Sequence, residues 1–207
     1  MILYHLDRNA SLHEGQILTL QSLNSCNLAN SEIARNLFPD GLSSHGIQYL
    51  QKAENRFDYG FVQPSGSYFA WLESLKSATD SLGGPFSEIY CELIRRIFFP
   101  SFPSRLQCLF AVSSMEELLQ WNDCSGFSAE KPVFEVYVSD DFPCFDSRLL
   151  KGGFCLWVNE TERQGHFDFE PLENLQFAFD YWNGKRDSNP RLEYLIPLPV
   201  TVGRQVR

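Results

Sequence analysis

The sequence predicts an α+β domain with a largely antiparallel or mixed β-sheet. Strand-like segments lie at both ends of the chain and through its second half, whereas the helical patterns are concentrated between them. The chain has 207 residues, of which 43% are hydrophobic and 21% charged, and it contains no internal repeat. Such a length and composition are typical of one globular domain with a single core. We therefore expect residues 1–207 to form one domain, with helices inserted mainly in the first half.

The first 60 or so residues combine short strands with short helices. Alternation and β-propensity predict strands at residues 2–8 and 16–20. Helical spacing predicts helices at residues 31–35 and 45–55. A Glu14-Gly15 turn separates the two strands.

A strong helix followed by a strand is predicted in the middle of the chain. The helix covers residues 85–98, because apolar side chains recur every three or four positions and two prolines follow at once. Residues 105–112 are predicted to form the strand. The motif Ser113-Ser114-Met115-Glu116 then resembles a capping box, which would open a helix ending near Trp121.

The second half is predicted to be mainly strands. Residues 133–138 and 153–158 have the composition of strands, and residues 171–182 carry apolar side chains at helical spacing. The last predicted strand is the run at residues 192–202, which a single carboxylate, Glu193, opens.

Charge and cysteine usage restrict the class of protein. A formal net charge of -9 disfavours broad binding to nucleic acid, although a local basic groove remains compatible with it. The six cysteines form no CxxC pair and have no His at a zinc-like spacing, so we expect reduced thiols and no metal site. Without a secretory leader or an apolar run of about 18 residues, the expected location is the cytoplasm and no membrane partner is expected.

Several common motifs of catalysis are missing. The sequence has no GxGxxG after a strand and no GxxxxGK[ST], so neither a dinucleotide-binding fold nor a P-loop is supported. It also lacks GxSxG and HExxH. Hydrolase and metalloprotease hypotheses therefore lose most of their support.

Three short segments, in chain order, resemble the motifs of the ADP-ribosyltransferase superfamily. Tyr4-His5 is similar to the Tyr-His opening of its His-Tyr-Glu branch, and Leu109-Phe110-Ala111, followed by a helix start, is similar to its Tyr-Phe-Ala strand. Glu193-Tyr194-Leu195-Ile196 resembles its Glu-Tyr-Ile-Val strand, which begins with the catalytic Glu. The chain also looks like a family of small uncharacterised bacterial proteins that begin with Tyr-His-x-Asp-Arg and carry Ser-Arg-x-Gln mid-chain.

The sequence departs from the His-Tyr-Glu branch at two positions. Leu6 replaces the usual Gly after the His, and Leu109 stands where that branch has its stacking Tyr, so we expect the stacking ring from residues 68–69. Arg8 and Ser104-Arg105 are closer to the Arg-Ser-Glu branch, although its Ser-Thr-Ser triplet is missing. The resemblance therefore implies a divergent ADP-ribosyltransferase-like fold.

The resemblance implies NAD as the cofactor and gives roles to individual residues. Cleavage of the bond between nicotinamide and ribose builds positive charge on the sugar, which a carboxylate beside it stabilises. Glu193 would supply this carboxylate, His5 would act with it by binding a ribose hydroxyl, and Arg8 would bind the pyrophosphate. The NAD-binding residues implied in this way are Tyr4, His5, Asp7, Arg8, Ser104, Arg105, Gln107 and Phe110.

Strand alternation leaves other interpretations of these residues open. In a strand His5 and Asp7 share one face and Arg8 lies on the other, so His5 also fits a core residue paired with Asp7. Arg105 and Gln107 would share one face of their strand, where they would line either a polar cleft or a partly exposed sheet.

The leading functional hypothesis is an NAD-dependent mono-ADP-ribosyltransferase that modifies a protein or nucleic acid. The resemblance implies a bacterial toxin or phage-defence effector, with an antitoxin or chaperone as a partner. The alternative is a non-catalytic binding or accessory module on the same fold, which Leu6 and Leu109 at the two key positions favour. Transfer of an RNA 2′-phosphate onto NAD is a third hypothesis, which would require more basic residues near the cleft.

Overall fold

The computed structural model describes residues 1–57, 84–122, 128, 130–139, 142–151, 155–159, 164–168 and 170–207. The strands in this part of the chain are β1 (Ile2–Leu6), β2 (Ile17–Leu18), β3 (Cys108–Ala111), β4 (Val133–Tyr137), β5 (Cys144–Asp146), β6 (Cys155–Asn159), β7 (Gln164–Asp168), β8 (Leu192–Pro197) and β9 (Val200–Gln205). The α-helices are α1 (Glu32–Leu37), α2 (Ser44–Phe57), α3 (residues 84–98), α4 (Met115–Leu119) and α5 (Pro171–Trp182). The α+β class is confirmed, and α1, α2 and α3 all lie between β2 and β3.

The strands form antiparallel sheets. One sheet has the order β1-β4-β9-β2, a second has the order β3-β8-β5, and β6 and β7 form a separate pair. A bridge between Tyr4 and Val112 joins the edge of the first sheet to the edge of the second. Strands β1, β3 and β8, which carry the three segments that resemble ADP-ribosyltransferase motifs, therefore lie side by side.

Local sequence signals account for several elements. Helix α5 begins with Pro171 and ends at Trp182, as predicted, because proline is well suited to the first turn of a helix. Helix α4 begins after Ser114, whose side chain accepts the backbone N–H of Glu117, and the Glu117 carboxylate accepts the N–H of Ser113. The predicted capping signal is real, but it lies one residue later than expected.

The predicted strand at residues 105–112 is wrong over its first three residues. Arg105 to Gln107 form a 3₁₀ helix, and the strand begins at Cys108. The Ser104 hydroxyl accepts the backbone N–H of Leu106, which removes that donor from any strand ladder. Arg105 and Gln107 are therefore not neighbours on one face of a strand.

The predicted last strand is two strands in two different sheets. Residues 192–197 pair with β3 and β5, whereas residues 200–205 pair with β4 and β2. Pro197 and Pro199 have no backbone N–H to donate, and β8 ends at Pro197. The chain changes sheets at this point, so β8 and β9 belong to different sheets.

The buried side of helix α3 carries three charged residues beside the apolar Cys91 and Ile94. Glu88, Glu92 and Arg95 are buried, whereas Ile89 and Leu93 are 42% and 48% exposed. Ile97 and Phe98 are exposed as well. The apolar spacing predicts the helix correctly, and the structure decides which of its side chains are buried.

The core on this side of the protein lies between α3, α5 and the β3-β8-β5 sheet. Its buried residues are Cys91, Ile94, Cys108, Phe145, Ala178, Tyr181, Trp182 and Leu195. Four of the described cysteines are free thiols, namely Cys26, Cys91, Cys108 and Cys144. No helix within the described ranges is long and apolar enough to span a bilayer.

Candidate functional site

A buried guanidinium lies between two buried carboxylates on the helical side of the three-stranded sheet. Arg105 is 4% exposed and Glu193 is 2% exposed. Nε of Arg105 donates to Oε2 of Glu88 over 3.0 Å, and Nη2 donates to Oε1 of Glu88 over 2.9 Å. The third nitrogen, Nη1, donates to Oε1 of Glu193. Glu88 therefore holds the guanidinium through two parallel bonds, and Glu193 holds it through one.

Tyr181 completes the cluster. Its hydroxyl accepts a hydrogen bond from Nη1 of Arg105 over 2.6 Å and donates to Oε1 of Glu193 over 2.9 Å. The rings of Phe110 and Tyr181 lie 4.7 and 5.1 Å from Cζ of Arg105, within range of a cation–π contact. The bonds from Tyr181 and Arg105 both go to Oε1 of Glu193, and neither engages Oε2.

The cluster is assembled from four parts of the chain that are distant in sequence. Glu88 lies on α3, Arg105 on the 3₁₀ turn, Glu193 on β8 and Tyr181 on α5. The turn is fixed to the start of α2 because the backbone and hydroxyl of Ser43 both donate to the Leu106 carbonyl. A side chain at position 46 would clash with that carbonyl, so Gly46 allows the close contact of α2 with the turn.

The charges of the cluster reinforce one another. Burial alone would raise the pKa of Glu88, but the charge of Arg105, together with His45, holds that pKa well below its usual range. Burial would lower the pKa of Arg105, yet Glu193 and Glu88 raise it well above its usual value. Burial raises the pKa of Tyr181 far above that of a free tyrosine. At neutral pH the guanidinium and Glu88 are therefore charged and the phenol is neutral.

An aromatic rim adjoins the charged cluster. Nε2 of His45 lies 3.3 Å from Oε1 of Glu88, and the side chain of His45 is 23% exposed. The His45 ring lies 4.3 Å from the ring of Tyr49 and 4.6 Å from that of Phe110. Burial and Glu88 raise the pKa of Tyr49, while Arg8 and Arg105 oppose this shift. Tyr49 is thus within electrostatic range of the exposed Arg8 as well as of the buried cluster.

His5 lies on β1, next to the strand that carries Phe110, but its side chain is on the opposite face of the strands from Glu193. Its Nδ1 is 2.7 Å from the carbonyl oxygen of Phe110, and burial lowers its pKa. The pairing of Tyr4 with Val112 places His5 level with Ala111, whereas Glu193 shares its face with the partner residue Phe145. The structure therefore connects His5 to the site through the backbone of Phe110, and the imidazole does not contact Glu193.

The other predicted NAD-binding residues are held by different contacts. The Asp7 carboxylate accepts hydrogen bonds from the N–H groups of Asn9, Ser11 and Leu12 and stabilises a turn directly after β1. The strand predicted at residues 2–8 therefore ends at Leu6. Ser104 donates to Glu92, which belongs to a second ion cluster with Arg95 and Arg96. Gln107 donates to the Gly41 carbonyl, and Tyr4 packs beside Leu6, Val112, Leu118 and Val133. Of the predicted set, Arg105, Phe110 and Glu193 come together directly.

Sequence reasoning missed four members of this site. They are Glu88, Tyr181, His45 and Tyr49. A usable signal existed for Glu88, because Glu88, Glu92 and Arg95 recur at helical spacing on a strongly predicted helix. The expected stacking rings at residues 68–69 lie outside the described residues.

The fold and site define an α+β protein with antiparallel sheets and a buried Glu–Arg–Glu cluster behind an aromatic rim. The chain belongs to the family described as proteins of unknown function, DUF2441, whose family model matches residues 3–207. No curated protein matches the chain.

Proposed function

We propose that the protein is an NAD-dependent mono-ADP-ribosyltransferase whose catalytic carboxylate is Glu193. The observation that carries this proposal is the adjacency of β1, β3 and β8. This order brings the Tyr4-His5 segment, Arg105 with Phe110, and Glu193 into one region, although they are far apart in sequence. The resemblance to ADP-ribosyltransferases requires that arrangement.

The proposed chemistry suits a carboxylate in this setting. As the bond between nicotinamide and ribose breaks, positive charge develops on the sugar, and a buried carboxylate stabilises it more strongly than an exposed one. Tyr181 and Arg105 fix Oε1 of Glu193, which favours contact of the ribose with Oε2. Arg8, which is exposed just after β1, is the candidate ligand of the pyrophosphate.

NAD must displace part of the cluster in order to reach Glu193. The two bonds from Arg105 to Glu88 do not involve Nη1, so the Glu193 carboxylate can turn away from Nη1 while the fork to Glu88 stays in place. Only one Arg105 nitrogen then has to change partner. In this proposal Glu88 is a positioning residue that keeps the guanidinium beside the ribose.

The direct test is NAD consumption by the purified protein and by Glu193→Gln. Gln has nearly the shape of Glu and still accepts hydrogen bonds from Arg105 and Tyr181, but it lacks the charge. We expect NAD consumption, and labelling of macromolecules in a bacterial lysate by labelled NAD, to fall by about 10²- to 10³-fold. The matched control is Glu116→Gln, which changes an exposed carboxylate on α4. Equal consumption by wild type and Glu193→Gln, or none by wild type, would contradict the proposal.

The toxin or defence role, with a cytoplasmic location and an antitoxin or chaperone partner, belongs to the same proposal. Its test is growth after induced expression in a bacterial host. Wild type should arrest growth and Glu193→Gln should not, at equal protein levels. Growth arrest by both variants would separate toxicity from the chemistry of Glu193.

A non-catalytic binding module is the second candidate, and the burial of Glu193 favours it. At 2% exposure this carboxylate is already bonded to Arg105 and Tyr181, as in a purely structural ion cluster. Thermal denaturation with and without NAD separates the two candidates, since a ligand at 100 times its dissociation constant adds about 2.7 kcal/mol of stability. Stabilisation by NAD without consumption would support the binding module.

A further inference from the structure

His45 and Glu88 form a histidine–carboxylate pair at the edge of the buried cluster. Nε2 of His45 lies 3.3 Å from Oε1 of Glu88, and Glu88 is ionised because Arg105 and His45 lower its pKa. A carboxylate accepts hydrogen bonds and cannot donate them. The bond therefore requires a proton on Nε2, so in the neutral imidazole the lone pair lies on Nδ1.

The position of the ring combines rigidity with access. It is packed against the rings of Tyr49 and Phe110 at 4.3 and 4.6 Å, and α2 is held against the 3₁₀ turn at Gly46. The side chain is nevertheless 23% exposed, compared with 6% for Glu88 and 2% for Glu193. An incoming molecule can therefore reach His45 more readily than either carboxylate.

We infer that His45 is the general base that removes a proton from the acceptor as it attacks the ribose. This inference rests on the proposed ADP-ribosyltransferase function and deepens it, because it requires an acceptor that loses a proton, such as a hydroxyl group or water. Glu193 and His45 then divide the work. Glu193 stabilises the charge on the sugar, and His45 activates the nucleophile on the solvent side of the cluster.

Water is the simplest acceptor. The water oxygen forms a bond to C1′ of the ribose, and the proton from the broken O–H bond goes to Nδ1 of His45. The bond between C1′ and the nicotinamide nitrogen breaks, and its electron pair goes to that nitrogen, which neutralises the pyridinium. The imidazolium, held by Glu88, then releases the proton to solvent.

The test compares His45→Ala with wild type in NAD hydrolysis. Loss of a general base lowers a rate by about 10²- to 10⁴-fold, so His45→Ala should hydrolyse NAD that much more slowly. Added azide, an anion with no proton to remove, should restore NAD consumption and yield ADP-ribosyl azide. Added imidazole should restore hydrolysis. The matched control is His13→Ala, which removes an exposed His on the loop before β2 and should behave as wild type.

The outcomes separate this inference from the proposed function. If wild type consumes NAD and His45→Ala does so at the same rate, the inference is overturned and the proposed function stands. If His45→Ala is slow, still binds NAD, and is rescued by neither azide nor imidazole, His45 has only a structural role and the inference is again overturned. If wild type neither binds nor consumes NAD, the proposed function fails first. If His45→Ala melts at the same temperature as wild type and azide restores its NAD consumption, the role of His45 as the general base is supported.

Discussion

Replacing Arg105 with methionine should destabilise the protein, and more so at high pH than at low pH. Methionine has a similar length but leaves two buried carboxylates, Glu88 and Glu193, without their shared cation. Breaking a buried ion pair from one side costs about 3–5 kcal/mol. With a urea dependence of about 2 kcal/mol/M, the unfolding midpoint at neutral pH should fall by roughly 1.5 to 2.5 M.

The sign of the pH dependence follows from the pKa of Glu88. In wild type Arg105 and His45 lower this pKa, so the contribution of Glu88 to stability is present above the unfolded value of about 4.3 and is lost as pH falls through the folded value. Without the guanidinium, burial raises the pKa. The variant is therefore more stable at low pH, where the carboxyl is protonated. It loses stability as pH rises and the carboxyl ionises.

The assay is urea unfolding at pH 5 and pH 8, followed by tryptophan fluorescence. The control is Lys151→Met, which removes one partner of the solvent-accessible ion pair with Asp187 and should leave the midpoint nearly unchanged. Adding Glu88→Gln and Glu193→Gln to Arg105→Met should recover much of the loss, because no uncompensated charge remains. An Arg105→Met midpoint equal to the control, or an equal loss at both pH values, would refute this account of the cluster.

Three further predictions concern the surroundings of the cluster. Tyr181→Phe removes a hydroxyl bonded to two charged groups and should cost about 1.5–3 kcal/mol in urea unfolding; an unchanged midpoint would contradict the bonding described. Gly46→Ala places a methyl group against the Leu106 carbonyl and should cost about 1–3 kcal/mol, so a variant as stable as wild type would show that α2 can move away. Iodoacetamide at pH 8.5 should modify Cys26 well before Cys108 in the native protein, because Cys108 is buried and burial raises its pKa to about 12. Peptide mass spectrometry measures the order, and equal labelling would contradict it.

Elements with a complete local signal could be predicted from the sequence. Residues 171–182 form the predicted helix because proline opens it and apolar side chains repeat along it. Residues 133–137 form the predicted strand because of their strong β-propensity. Helix α3 was also predicted, since its periodicity needs no partner to be recognised.

The candidate site could be predicted only in part. Glu193 and Arg105 were selected as polar groups in otherwise apolar segments, and the structure joins them through a hydrogen bond. Glu88 and Tyr181 were missed, because nothing local marks a residue whose role is to bond a group 17 or 76 positions away. The three predicted motif segments do lie on neighbouring strands, but alternation turns His5 away from Glu193.

The sequence by itself determined the helices and strands, the α+β class and the short list of polar residues worth attention. These depend on backbone propensity and on the spacing of apolar side chains, which act over a few residues. The tertiary structure decided which face of α3 is buried, where residues 192–205 change sheets, and which carboxylates share Arg105. A charged side chain is buried only where a partner neutralises it. When that partner is distant in sequence, the two groups meet only once the chain has folded.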